Sequence, residues 1–231
     1  MKKVVVFGTG SLGQMAHFYL THDSEYEIAA FCVDGAYITS SDFNNIPVVP
    51  FEDIVDTHPP DQYDMFVAIG YNKLNQTRAN KYQESKSKGY KLINYICSRS
   101  VIWDGVEFGD NCFIFENQTI QPFVTIGSNV ILWSGNHIGH HSVIGDHCFL
   151  TSHVVVSGHV SIGSYSFLGV NSTLQDGINL APRTVVGAGA VLIKDTVEGG
   201  VYTAPPAKLR TTRVDRVRYF SNTPYGEQSS L

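Results

Sequence analysis

Four histidines lie within sixteen residues in the middle of the chain, in the stretch SGNHIGHHSVIGDHCF at 134–149. They are His137, His140, His141 and His147. Imidazole titrates near neutral pH and is also a frequent metal ligand, so such a tract can supply a general base or hold a metal ion. It can also be polar decoration on a repetitive surface. The secondary structure that positions these side chains determines which of these three roles applies.

An apolar residue recurs at every sixth position from Phe108 to Leu192, and all fifteen members of this series are Phe, Ile, Leu or Val. Glycine often follows the apolar residue. A hexapeptide period is typical of a parallel β-helix, in which three hexapeptides form one triangular coil of about 18 residues. We therefore expect a rod of about five stacked coils within 98–204, with 205–231 as a cap and tail.

Stacking places residues 18 apart above one another on successive coils. His141 then lies under His159, and His140 lies under Gly158. Because Ile138 points into the prism, residues 139–141 are expected at a corner with their side chains outward. A zinc site needs three or four converging ligands, and His141 with His159 supplies only two. We therefore expect no metal, and we interpret His137 and His147 as polar corner residues.

Residues 1–97 show a different pattern. The strand KVVVF (3–7) leads into the glycine turn GTGSLG (8–13), a helical stretch, and a second strand that ends in Asp34. This order is the dinucleotide-binding fingerprint, in which backbone N–H groups at a helix N-terminus hold phosphate. Further strands are predicted at 63–70 and 90–96, with a helix between them.

The size of this unit limits what it binds. It is a half-Rossmann α/β domain, large enough for one nucleotide but not for both halves of a dinucleotide. Asp34 is placed to accept hydrogen bonds from a ribose or a base, and the loop Gly70-Tyr71-Asn72 follows a strand at the same sheet edge. A nicotinamide enzyme and a purely structural glycine turn remain as alternatives.

Composition excludes several classes of protein. The formal net charge of −5 gives no general attraction to nucleic acid or to an anionic membrane. No apolar run is long enough to span a bilayer, and the N-terminus does not read as a signal peptide. The four cysteines form no CxxC pair and are expected to be reduced core residues. The expected compartment is the cytoplasm.

The order of these segments resembles a known family. The half-Rossmann domain, NHIGHHSVIGDHCF, VVSGHVSIGSYSFLGVNSTL, GAGAVLIKD (187–195) and PPAKLR (205–210) are similar to bacterial acyl-CoA-dependent acyltransferases that modify amino groups of nucleotide-linked sugars. The related sialic-acid O-acyltransferase-like proteins share the pattern. The resemblance covers about 3–210, and it implies a left-handed β-helix, a homotrimer, and active sites in clefts between neighbouring rods.

The resemblance implies that His140 is the general base, with Gly158 allowing close approach of the acyl group. A proton must leave the amine as the C–N bond forms, and imidazole is suited to accept it. The chain departs from the family at the next position, where relatives usually carry a carboxylate and this chain carries His141. Another group must then orient His140, or His141 is itself the base.

The same resemblance assigns the two substrates. Gly8, Gly10, Ser11, Asp34 and the loop Gly70-Tyr71-Asn72 are implied to bind the nucleotide of the sugar. Acetyl-CoA, the co-substrate, is implied to lie along the later coils. The residues implied to bind it are Val170, Ala188, Gly189 and Lys208.

The function that follows is N-acetylation of a nucleotide-linked amino-deoxy sugar, ahead of O-antigen, lipopolysaccharide or other glycan assembly. The run FIFENQTIQPF…LWSGNHIGHHS resembles enzymes that acetylate dTDP-4-amino-4,6-dideoxyglucose, and a UDP-linked sugar is the other expected partner. Two alternatives remain, which are O-acetylation of a sugar hydroxyl, as on sialic acid, and a non-catalytic β-helix that binds nucleotide sugars.

Overall fold

The computed structural model of the protein describes residues 2–210 and residue 212. The remainder of the predicted tail lies outside the described residues. Two units follow one another along the chain, an α/β domain and a three-faced rod of short parallel strands. None of the helices among the described residues has the length and apolar character needed to cross a bilayer.

The α/β domain is built on a five-stranded sheet in the order β3-β4-β2-β1-β5. Strand β1 pairs in parallel with β2 and β5, and β4 is parallel to β2, whereas β3 is an antiparallel edge strand. Its elements are β1 (Lys2–Phe7), α1 (Ser11–His22), β2 (Tyr26–Val33), a 3-10 turn (Gly35–Tyr37), β3 (Asp42–Phe43), β4 (Ile46–Pro50), α2 (Ile54–Thr57), β5 (Asp64–Val67) and α3 (Gln76–Ser87). The predicted half-Rossmann fold is confirmed.

The rod is a left-handed parallel β-helix with three faces. Face 1 contains β6 (Tyr95–Ile96), β9 (Phe113–Ile114), β12 (Ile131–Leu132), β15 (Phe149–Leu150), β18 (Phe167–Leu168), β21 (Val185–Val186) and β23 (Val201–Tyr202). Face 2 contains β7 (Val101–Ile102), β10 (Thr119–Ile120), β13 (His137–Ile138), β16 (Val155–Val156), β19 (Thr173–Leu174) and β22 (Val191–Leu192). Face 3 contains β8 (Glu107–Phe108), β11 (Thr125–Ile126), β14 (Val143–Ile144), β17 (Ser161–Ile162) and β20 (Asn179–Leu180).

The register of the rod is constant from β6 to β22. Strands there pair 18 residues apart, as Ile120 does with Ile138, so the predicted stacking is observed, and only the last pair, Val185 with Val201, is 16 residues apart. The hexapeptide series is buried from Ile114 to Leu192, and it fills the prism between the three faces. The predicted strand at 90–96 is divided: Leu92 forms a single parallel bridge with Met65 of β5, and Tyr95–Ile96 pairs with Phe113–Ile114. The chain therefore enters the rod at Tyr95.

The α/β domain packs on face 1 and on the corner that joins face 3 to face 1. Arg78 of α3 is fully buried there, and its guanidinium donates hydrogen bonds to the carbonyl oxygens of Gly70, Asn129, His147 and Cys148 at 2.9–3.3 Å. Burial lowers the pKa of Arg78 to about 9. Aromatic side chains of face 1 complete the contact, so the two units share one apolar interface.

Candidate active site

The predicted nucleotide residues converge at one edge of the α/β sheet. The glycine turn follows β1, Asp34 follows β2 and the Gly70 loop follows β5, and the carboxyl ends of these three neighbouring parallel strands meet at the same edge. Gly8 has a φ of 118°, and a Cβ there would meet the carbonyl oxygen of Ala68 at 2.7 Å. The turn therefore requires glycine at this position.

The middle of the turn, at Gly10 and Ser11, faces solvent. Gly10 precedes α1, nothing lies within 4 Å of the position of a Cβ on it, and Ser11 is exposed at the first position of the helix. These N-terminal N–H groups are open to an anion. Tyr71 and Asn72 are exposed, and the Tyr71 ring packs at 5.1 Å from Phe149.

A cleft of about 750 Å³ lies beside Asp34, lined also by Phe51, Glu52, Lys81, Glu84 and Lys88. Lys81 Nζ donates to Asp34 Oδ1 at 2.7 Å and to Glu84 Oε2 at 2.6 Å. Burial opposes the charge of Lys81, but these two carboxylates outweigh it and raise the pKa of the amine. Lys81 lies in a helix 47 residues from Asp34. Sequence reasoning missed it, because no short-range pattern links the two.

The histidines of interest occupy the corner that joins face 2 to face 3. His140 and His141 lie between β13 and β14 and are exposed, as predicted. The backbone N–H of His140 donates to Gln121 Oε1 at 2.8 Å, and its carbonyl oxygen accepts from the N–H of His159 at 2.9 Å. The backbone at His140 is thus tied to the coils on both sides.

The predicted stacking of His140 on Gly158 is present. A Cβ on Gly158 would meet His140 Cε1 at 2.7 Å and Nε2 at 2.9 Å, and it would meet Asp176 Oδ1 at 2.9 Å. The glycine is therefore needed to make room for the imidazole edge. Asp176, two coils from His140, brings a carboxylate to the same point, and sequence reasoning missed it. The N–H of Gly158 donates to no group of the described chain.

His141 lies in a column of rings along this corner. Its ring centroid is 4.8 Å from that of His159, nearly parallel at 18°, and 4.6 Å from that of Phe123. His141 Nδ1 lies 3.1 Å from His140 Nδ1, so one nitrogen donates a hydrogen bond to the other. The nitrogen atoms of His140, His141 and His159 that could bind a metal all lie within 4.8 Å of one another.

The other two histidines of the tract lie elsewhere. His137 is half-buried in a strand of face 2. His147 is buried against the α/β domain, where its Nδ1 lies 2.9 Å from Asn129 Nδ2 and its ring packs against that of Tyr82. Burial lowers the pKa of His147. Its place in the domain interface differs from the solvated corner that the sequence predicts, because α3 covers the corner.

The residues predicted to bind acetyl-CoA lie at the next corner, between faces 1 and 2. Val170 and Ala188 are exposed and 18 residues apart, and the N–H of Gly189 donates to the carbonyl oxygen of Val170 at 2.8 Å. Gly189 has a φ of 68° and nothing within 4 Å of the position of a Cβ. Lys208 is exposed in the segment after the last strand.

Face 2 therefore has the His140 corner along one edge and the Val170 corner along the other. The α/β domain packs on face 1, which lies opposite the corner that carries His140. In a single chain, the nucleotide loops and His140 are on different sides of the prism.

Three segments of the chain match known protein families. Residues 3–84 match the PglD N-terminal domain, residues 123–158 match the bacterial transferase hexapeptide, and residues 159–194 match the hexapeptide repeat of succinyl-transferase. The chain also has the fold of several solved structures that are 20–24% identical to it.

One such structure is PerB from Caulobacter crescentus with CoA and GDP-perosamine (TM-score 0.79, 24% identity, 91% of this chain and 98% of that one). Another is the acetyltransferase domain of PglB from Neisseria gonorrhoeae FA1090 (TM-score 0.76, 22% identity, 90% and 99%), which is also solved with acetyl coenzyme A. A third is WeeI from Acinetobacter baumannii AYE (TM-score 0.69, 20% identity, 90% and 99%).

Proposed function

Because the chain carries a PglD N-terminal domain followed by transferase hexapeptide repeats, we propose that it is an acetyl-CoA-dependent N-acetyltransferase of nucleotide-linked amino sugars. The observation that carries the proposal is the exposed, backbone-anchored His140, on a face whose other edge has the open groups expected for CoA. PerB, which shares the fold, is solved with both a nucleotide-linked amino sugar and CoA.

The reaction needs a neutral amine and an acceptor for its proton. The amine nitrogen attacks the thioester carbonyl carbon, and His140 takes the proton that the nitrogen loses as the C–N bond forms. The C–S bond then breaks, the thiolate leaves as CoA and takes up a proton, and the sugar keeps the amide. The N–H of Gly158 is the donor proposed for the developing oxyanion, since Gly158 is stacked against the His140 ring on the next coil.

His141 takes the place of the expected carboxylate. For His140 Nε2 to hold a free lone pair, His140 Nδ1 must carry the ring proton. That N–H then donates a hydrogen bond to His141 Nδ1, 3.1 Å away. The Phe123 and His159 rings hold His141 in the orientation that accepts this hydrogen bond. A neutral imidazole thus fixes the tautomer of the base without adding a negative charge.

A homotrimer is part of the proposal. The nucleotide loops of a single chain lie on the side of the rod away from His140. The sugar of a bound nucleotide would reach a His140 from the α/β domain of a neighbouring copy, with the reaction in the cleft between two rods. This arrangement agrees with the resemblance seen in the sequence, and cytoplasmic location suits both substrates.

We also propose which nucleotide-linked sugars accept the acetyl group. We take dTDP-4-amino-4,6-dideoxyglucose as the first sugar to test, beside UDP-linked amino sugars and GDP-perosamine. The cleft beside Asp34 and Lys81 offers both acceptors and donors, and these suit the hydrogen-bonding edge of a base or a ribose.

The test is release of free thiol from acetyl-CoA by purified protein with each amino sugar. Two variants accompany it, His140→Asn and the control His22→Asn, which replaces an exposed histidine at the C-terminal end of α1, away from the predicted sites of both substrates. We expect release with one sugar, retained in the control and reduced at least about 100-fold in the His140 variant. Release that survives His140→Asn would move the base to His141. Release with sialic acid but no amino sugar would replace the proposal by O-acetylation.

A further inference from the structure

We propose that His140, His141 and His159 form a binding site for a divalent transition metal such as Zn²⁺, and that metal bound there inhibits the enzyme. The inhibition rests on the proposed function, but metal binding does not. The 18-residue stacking that the sequence predicts brings only two histidines together, His141 and His159. The structure adds the third, because His140 turns its ring along the corner toward His141.

The spacing of the nitrogens fits metal ligation. Zinc binds imidazole nitrogen at about 2.0–2.1 Å, which places tetrahedral ligand atoms about 3.4 Å apart. His140 Nδ1 and His141 Nδ1 are already 3.1 Å apart, and all three histidines offer nitrogens within 4.8 Å of one another. All three side chains are exposed, so a small rotation of the His159 side chain would bring its nitrogen to ligation distance without disturbing the core.

The surroundings favour a cation. Asp176 Oδ1 and His140 Nε2 both lie 2.9 Å from the point where a Cβ on Gly158 would stand, so a carboxylate adds negative charge next to the His140 ring. The backbones of His141 and His159 are held on successive coils by hydrogen bonds to Pro122 and His140. Three imidazoles suit Zn²⁺, Ni²⁺ or Cu²⁺ rather than Mg²⁺ or Ca²⁺, which prefer oxygen ligands.

Metal at this site removes the base. A neutral imidazole has one lone pair, and a metal on Nδ1 of His140 uses it while Nε2 keeps its proton. Neither nitrogen can then accept a proton from the amine. No bond of either substrate changes in this step, and a chelator that removes the metal restores the lone pair.

Two measurements test the proposal on the full-length protein. The first is titration with Co²⁺, whose visible absorption reports tetrahedral ligation, followed by displacement with Zn²⁺ in a calorimeter. The second is thiol release at increasing Zn²⁺, reversed with a chelator. Each is made on the parent protein, on His159→Asn, and on the matched control His153→Asn. Both of these positions have a positive φ, near 56° and 59°, which asparagine tolerates.

We expect one metal per chain in the parent protein, with Zn²⁺ affinity lowered on the order of 10- to 100-fold by His159→Asn and unchanged in the control. Inhibition by Zn²⁺, expressed relative to each variant's own activity without metal, should follow the same affinities. Absence of Co²⁺ ligation bands, or equal affinity in His159→Asn and the parent, would overturn the site. Binding of metal by a protein that transfers no acetyl group would refute the proposed function and leave the site standing.

Discussion

Gly158 leaves room for the His140 imidazole, but its backbone conformation does not itself require glycine. Gly158→Ala therefore tests the position of the base without straining the backbone. The backbone of Gly158 is not in the left-handed region, so alanine is acceptable to the chain itself. The new methyl group would meet His140 Cε1 at 2.7 Å, whereas ordinary contacts begin at 3.4 Å. The imidazole must therefore retreat by about 0.7 Å or rotate away.

The magnitude follows from that displacement. A misplacement of about 1 Å in a reacting group costs roughly 100-fold in rate, so we expect kcat to fall on the order of 10- to 100-fold. Because the atoms that yield are at the exposed ends of His140 and Asp176, the free energy of unfolding should change by less than about 1 kcal/mol.

Gly163→Ala is the matched comparison. A Cβ on Gly163 would meet the backbone nitrogen of Pro182 at 2.4 Å, so the coils themselves must separate. It should lower the free energy of unfolding by about 1–3 kcal/mol. Thiol release and chemical denaturation of both variants are the assays. A Gly158→Ala protein with full kcat would show that the position of His140 over Gly158 is irrelevant to the reaction.

Three further variants test the domain interface and the cleft. Arg78→Lys should lower the free energy of unfolding by about 3 kcal/mol in urea, because an ammonium cannot reach the carbonyl oxygens that the guanidinium bridges; a loss below about 1 kcal/mol would contradict this. Burial lowers the pKa of His147 in the folded state, so the unfolded state binds the proton more tightly and stability should fall as the pH drops below about 6.5; urea denaturation of His147→Gln should lack that part of the pH dependence, and an unchanged profile would refute the assignment. Lys81→Met leaves Asp34 without its partner, so KM for the nucleotide sugar should rise about tenfold with kcat nearly unchanged; an unchanged KM would place the nucleotide elsewhere.

The rod was predictable because its core obeys a strict period. Every sixth residue points inward, and stacking at 18 residues predicts the contacts of His141 with His159 and of His140 with Gly158. The strand predicted at 90–96 is divided between the two units, because Leu92 bridges to Met65 at the edge of the α/β sheet and Tyr95 begins the rod. A continuous apolar run does not show where the chain passes from one unit to the other.

The features that sequence did not predict are contacts between distant segments. Lys81 reaches Asp34 across 47 residues, and Arg78 reaches His147 across 69. Neither contact has a local signal, because each depends on how α3 packs against its neighbours. The approach of Asp176 to His140 depends on side-chain rotamers, which the period of the backbone leaves open.

The constant register also determines which insertions and deletions the protein can tolerate. Adding or removing six residues between His140 and Val170 would keep every apolar side chain inside but shift all later residues to the next face. Val170 and Ala188 would then no longer share a face with His140, and a well-folded protein would be inactive. Adding eighteen residues would preserve the faces and lengthen the rod by one strand spacing, about 4.8 Å. Changes of chain length in this protein are therefore restricted by its chemistry more strictly than by its stability.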